Sequence, residues 1–179
     1  TQARLVNAFV ITPLRIAFLV LLIGTTLEVL ASQGREMFRV DRWRRGMREH
    51  VVVIGYGTKG RSAVETLVNN GRSREDIVIV DPEIVAQEDA QADGVAIVTG
   101  DATRRDVLRR AGIERATQVI ITTDRDDSNV LAALTVRQLN PEAWIVASVR
   151  EQENVPLMRQ SGADSVITSS DAVGRLLGL

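Results

Sequence analysis

One segment limits the fold of this chain more than any other: VVVIGYGTKGRS, Val51 to Ser62. A short run of β-branched residues ends at Ile54. Glycines follow at 55, 57 and 60, and the helical spacing of Ala63, Val64, Leu67 and Val68 begins at once. Each glycine has a separate use in a strand-to-helix turn. Gly55 permits the tight turn, Gly57 lets backbone come close to a pyrophosphate, and Gly60 lets the helix lie against the strand. The N–H groups of a helix starting near Thr58 then face an anion. A bare glycine triplet says little. Here the next strand, DIVIVD (76–81), ends in Asp81, about twenty residues beyond the last glycine, which completes the dinucleotide-binding context. Asp81, at a strand end rather than in the core, is expected to accept hydrogen bonds from ribose hydroxyls and to repel a 2′-phosphate.

The alternation continues to the end of the chain. Strands are expected at 51–54, 76–81, 95–101, 118–123, 143–149 and 164–168. Between them lie helices expected at 61–70, 82–94, 104–113, 127–140 and 154–163, with a last helix over 170–179. Apolar strands alternating with helices of this length imply a parallel sheet covered on both faces. With right-handed crossovers, the expected fold is a Rossmann-like, doubly wound, six-stranded α/β sheet in the order 3-2-1-4-5-6.

A different composition precedes residue 49. Leu5 to Ala31 is almost wholly apolar, its only charged residues being Arg15 and Glu28. As a helix it would be about 40 Å long, more than the roughly 30 Å of a bilayer's apolar layer. Arg35, Arg39, Arg42, Arg44, Arg45 and Arg48 follow it. A signal peptide carries its positive charges before the apolar core, the reverse of this order. The expectation is a transmembrane helix within residues 1–33 and a basic linker at 34–48. The linker's arginines meet lipid headgroups on the cytoplasmic side. The domain at 49–179 then stands in the cytoplasm. A buried helix of a soluble protein is the alternative.

Several chemistries are excluded or demoted. The chain has no Cys and one His, His50, so neither thiolate nor multi-imidazole metal sites exist within it. Aromatic residues make up 3% and the net charge is -1, which argues against a nucleic-acid partner. His50 opens a strand and is expected to be structural. The carboxylates of Asp124 to Asn129, DRDDSN, lack a calcium-loop spacing. Asp126 or Asp127 is expected to cap the next helix instead. Gly55-Tyr56-Gly57 also matches the tripeptide of a potassium-channel filter, but neither the preceding Thr nor a pore helix is present, and Lys59 follows.

Beyond the glycine motif, GDAT (100–103) followed by LRRAGI (108–113), and GADSVI (162–167), carry a more specific pattern. With the strands around them they resemble RCK (TrkA-N) domains, the regulators of potassium conductance, over about residues 49–179. The apolar first segment is similar to the inner pore helix of two-helix potassium channels fused to such a domain. The filter would then lie upstream of Thr1. The resemblance implies phosphate contacts from Gly55, Tyr56, Gly57, Thr58, Lys59 and Gly60, and a ribose contact from Asp81. It places Asp101 and Ala102 beside an adenine, and Thr122 and Thr123 at the topological switch point. Some members of the family have Arg where Thr58 stands, so the expected ligand is NAD or NADH, with AMP, ADP or ATP as alternatives. No catalytic or metal-ligating residue is expected.

The resemblance implies a non-enzymatic, ligand-gated module of a potassium channel at the cell membrane. It would act as an RCK homo-oligomer within a tetrameric channel, with nucleotide binding coupled to the passage of potassium ions. Two alternatives stand beside it. An NAD-dependent oxidoreductase would use the same cradle but lacks a substrate domain and a catalytic acid or base. A peripheral regulatory subunit of a potassium-uptake transporter would not need residues 1–48.

Overall fold

The computed structural model describes residues 14–23 and 49–168. The chain divides into two compact units, Thr1–Trp43 and Arg44–Leu179. In the first, residues 14–23 are helical and their side chains are exposed. The rest of the expected membrane segment, the whole basic linker at 34–48 and the final helix at 170–179 lie outside the described residues. Among the described residues no helix is long and apolar enough to cross a membrane.

The second unit is built on six parallel strands: β1 (Val51–Ile54), β2 (Ile77–Asp81), β3 (Ala96–Thr99), β4 (Gln118–Ile121), β5 (Trp144–Val149) and β6 (Ser165–Thr168). Their order is β3-β2-β1-β4-β5-β6, as the alternating pattern predicts. The helices are α1 (Thr58–Asn69), α2 (Ile84–Ala92), α3 (Arg105–Arg110), α4 (Asp126–Leu139) and α5 (Val155–Gln160). All four residues of β1 are 0% exposed. Successive strand residues face opposite sides of a sheet, so both faces at β1 are covered. On one face Val51, Val53, Ile77 and Ile79 pack with Val64 of α1 and with Ala86 and Ala90 of α2. Elsewhere α4 buries Ala132, Ala133 and Val136 and packs on β4 and β5.

Several elements are shorter than expected. β3 ends at Thr99 and β4 at Ile121, so Asp101, Thr122 and Thr123 stand in loops beyond the strands. Pro82 and Glu83 form a turn ahead of α2, because the Asp81 carboxylate takes the Glu83 N–H. α3 stops at Arg110. Gly112, at φ 72°, reverses the chain, and Ile113–Arg115 form a separate 3₁₀ turn.

The single histidine is part of the packing. His50 is 1% exposed, and its Nε2 lies 3.0 Å from the Ala111 carbonyl oxygen, to which it donates. Burial lowers its pKa from 6.5, opposed in part by that hydrogen bond. The folded protein therefore refuses a proton that the unfolded chain accepts, and stability falls as pH drops through about 6.5. Chemical denaturation between about pH 7.5 and pH 5.5 is expected to show this loss in the wild type. A His50→Gln variant, which keeps a donor and loses the titration, is expected to show less of it.

Candidate functional site

The carboxyl ends of β1, β2 and β4 meet around the glycine turn. Gly55 has φ 90°, a left-handed conformation disfavoured for side-chain-bearing residues. A Cβ there would lie 3.0 Å from the backbone of Thr122 and Thr123. At Gly60 a Cβ would sit 1.9 Å from the Gly55 carbonyl oxygen, so α1 reaches the turn only without one. Gly57 differs from both. Its φ of -74° suits any residue, and an added Cβ would meet nothing within 4 Å. The fold needs Gly55 and Gly60, whereas the space beside Gly57 is open.

The start of α1 is left without a cap from its own sequence. Gly57 offers no side chain, and the first turn holds no acidic residue. The helical hydrogen bonds begin with the Arg61 N–H to the Gly57 carbonyl, 3.0 Å. The first N–H groups of a helix lack intrahelical partners and carry about half a positive charge together with the dipole. Lys59 stands in this turn. The arrangement is suited to an anion.

Asp81 secures the turn. It ends β2 but is only 7% exposed, so it belongs to the buried part of the molecule and not to an open strand end. Its Oδ2 accepts the Tyr56 N–H at 2.7 Å, and its Oδ1 accepts the Glu83 N–H at 2.8 Å. Its backbone carbonyl accepts the Gly100 N–H at 3.0 Å. One residue therefore ties together the loops after β1, β2 and β3. Tyr56 follows from this. With its N–H held by Asp81, its ring is buried at 3% exposure and its hydroxyl donates to Asp93 at 2.7 Å. Burial first, and then that carboxylate, push the phenol pKa well up.

Across the cleft, the Thr122 hydroxyl lies 3.0 Å from the Gly55 carbonyl oxygen and 3.1 Å from that of Ile54, donating to this pair. Asn129 of α4, 0% exposed, accepts the Thr123 N–H at 3.1 Å through Oδ1. Its Nδ2 donates to the Ser148 carbonyl at 3.0 Å. Nothing in the sequence singles out Asn129, because a buried amide at a helix start leaves no spacing signature. Asp126 also departs from expectation. It caps no N–H of its own helix, and instead accepts the N–H groups of Arg150 and Glu151 at 2.9 and 3.2 Å and the Asn154 amide at 2.7 Å. Burial opposes its ionisation, yet these bonds outweigh it and hold the carboxyl below its usual range. Asp127 meets the expectation: its Oδ1 accepts the Ser128 N–H at 2.8 Å, and its Oδ2 pairs with Arg125 at 2.5 Å.

These walls enclose a cleft of about 720 Å³ lined by Gly55, Gly57, Thr58, Lys59, Asp81, Asp101, Ala102, Thr122 and Thr123, among others. Tyr56 and Gly60 are absent from its lining. Tyr56 faces a second cavity of about 660 Å³ between α1 and α2, and Gly60 packs behind the turn. The two cavities share Gly57, Thr58, Asp81, Glu83 and Asp124. Among the described residues no group of His, Cys, Asp and Glu is arranged to hold a metal ion.

The chain belongs to the TrkA-N domain family, whose sequence profile matches residues 51–169. It is 29% identical over 143 residues to probable potassium channel protein 2 of Methanocaldococcus jannaschii, covering 78% of this chain and 42% of that protein. It is 27% identical over 179 residues to the calcium-gated potassium channel TvoK of Thermoplasma volcanium, covering 90% and 50%. The GsuK channel bound to NAD superimposes with a TM-score of 0.65 at 26% identity, over 74% of this chain and 24% of that one. GsuK bound to ADP does so at 0.65 and 27%, over 74% and 34%. The chain thus spans half or less of the length of these relatives.

The contrast between glycines gives a stability test. Gly60→Ala forces backbone apart and is expected to cost roughly 1–3 kcal/mol. Gly57→Ala is expected to stay within about 1 kcal/mol of wild type. Thermal and denaturant melts of the two variants check the difference.

Proposed function

We propose that this chain is a nucleotide-sensing regulatory module of a potassium channel, with NAD or NADH as its ligand and AMP, ADP or ATP as alternatives. One observation carries the reading. Gly57 is a glycine the fold does not require, at a helix start with no side-chain cap and no acidic residue in its first turn. A phosphate group placed there explains both features.

In this reading the N–H groups of the Thr58–Gly60 turn and Lys59 hold the pyrophosphate. Gly55 and Gly60 shape the turn, and Tyr56 anchors it through Asp81. Asp81 also takes ribose hydroxyls, since two of a carboxylate's roughly four acceptor positions are already filled by Tyr56 and Glu83. Asp101 and Ala102 flank the adenine, and Thr122 and Thr123 close the cleft. The likeness to the GsuK channel bound to NAD and to ADP supports this choice of ligand.

The channel reading rests on the named potassium channels among the relatives. Residues 1–33 act as an inner pore helix and 34–48 as a basic linker against lipid headgroups. Residues 49–179 stand in the cytoplasm as the RCK lobe, paired with further copies of the same chain. Nucleotide shifts gating only by binding one arrangement of the lobes more tightly than the other. It is not consumed. The packing of His50 beneath Ala111 and Gly112 supports a binding role over catalysis.

Calorimetry on the purified chain in mild detergent tests the site. NAD is expected to bind more tightly than NADP, whose 2′-phosphate meets Asp81. Gly57→Asp is expected to abolish binding while the melt is retained. Asp81→Ala removes hydrogen bonds worth roughly 1.5–3 kcal/mol each, and is expected to lower both affinity and stability because it also releases Tyr56 and Glu83. No substrate-dependent oxidation of NADH is expected with added carbonyl compounds. Equal binding of NAD and NADP would remove the ribose role of Asp81.

A further inference from the structure

The charges around the cleft are unevenly balanced. Asp81, Asp101, Glu83 and Asp124 all line it. Two nearby arginines have their charge engaged elsewhere: Arg125 pairs with Asp127 at 2.5 Å, and Arg61 with Asp89 at 2.6 Å. Among the described residues lining the cleft, Lys59 and the dipole of α1 supply positive charge, and Arg150 stands beside Asp124 with its Nη1 3.4 Å from that residue's carbonyl oxygen. Glu83 and Asp124 line both the main cleft and the adjoining cavity between α1 and α2. With Gly57, Thr58 and Asp81 they stand where the two spaces adjoin, beside the first turn of α1.

We propose that Glu83 and Asp124 determine specificity at this site, selecting nucleotides whose phosphates are closed at both ends or few in number over those with a free polyphosphate tail. The proposal rests on the nucleotide reading above. A dinucleotide presents a pyrophosphate esterified on both sides, and the helix dipole with Lys59 offsets most of its charge. ATP adds a doubly ionised terminal phosphate that must lie against the two carboxylates. Like charges at this range disfavour one another, and the effect weakens with salt. Asp81 sets the preference at the ribose, and Glu83 and Asp124 set it at the phosphates, so the two can be separated by mutation.

The test is calorimetry of the purified full chain in mild detergent with EDTA, using NAD, ADP and ATP as probes at low and at high salt. Wild type is expected to bind NAD more tightly than ATP. The Glu83→Gln/Asp124→Asn double variant is expected to gain about three- to tenfold in ATP affinity, the scale of two screened charges near a phosphate. Its NAD affinity is expected to gain less than its ATP affinity, so that the ATP-to-NAD ratio rises. The gain should shrink at high salt. Each single variant is expected to show part of it, with an unchanged melt confirming the fold. Binding of all three nucleotides with the same ATP-to-NAD ratio in wild type and double variant overturns this proposal and leaves the nucleotide site standing. If no nucleotide binds to either protein, the nucleotide reading falls, and this proposal with it.

Discussion

The carboxylate of Asp81 accepting the Tyr56 N–H at 2.7 Å is the contact on which the site depends. A buried carboxylate is stable only when hydrogen-bonded or paired. Asp81 satisfies that need with backbone N–H groups from two loops, and its own carbonyl holds a third. The glycine turn is thereby fixed before any ligand arrives. Thr122 performs the matching role from β4, with its hydroxyl against the Gly55 carbonyl. The floor of the cleft is thus set by short hydrogen bonds at the ends of the three central strands, where the sheet order reverses direction.

That rigidity makes the uncapped start of α1 meaningful. Helix starts in soluble domains usually find Ser, Thr, Asp or Asn to accept their first N–H groups. Here the cap position is Gly57, and two nearby acidic residues, Asp81 and Asp126, are committed to other loops. Asp81 serves Tyr56 and Glu83, and Asp126 serves the segment after β5. In the proposed reading the positive end of the helix receives an external anion. A preformed anion site lowers the ordering cost of binding, because neither loop nor helix must rearrange first.

Much of this was legible in the sequence, and for identifiable reasons. The strand order followed from runs such as Val51–Ile54 and Ile77–Val80, apolar on both faces because both faces are covered. The glycine spacing followed from the steric demands of a strand-to-helix turn, and Asp81 was singled out by its place at the end of the next strand. Contacts distant in sequence were not legible. The burial of Asp81, the inward ring of Tyr56 and the buried Asn129 depend on which loops meet at the sheet edge. Of the two carboxylates expected at the start of α4, Asp127 takes a first-turn N–H, that of Ser128, and Asp126 does not. Here the loop at Arg150 and Glu151 competes for it and wins. The end of β4 was overrun because Thr122 and Thr123 continue the strand composition after the chain has left the sheet, and the expected β3 ran on through Gly100 and Asp101, which lie beyond its last residue, Thr99.

The central claim is that the free N–H groups at the start of α1 receive a nucleotide phosphate. Backbone amide resonances report this directly. In an NMR titration of the isotope-labelled chain with NAD, the amide signals of Thr58, Lys59 and Gly60 are expected to move most. Those of Ala92 and Asp93, at the far end of α2, should stay in place. Saturating NAD that leaves the Thr58–Gly60 amides unmoved would contradict the account.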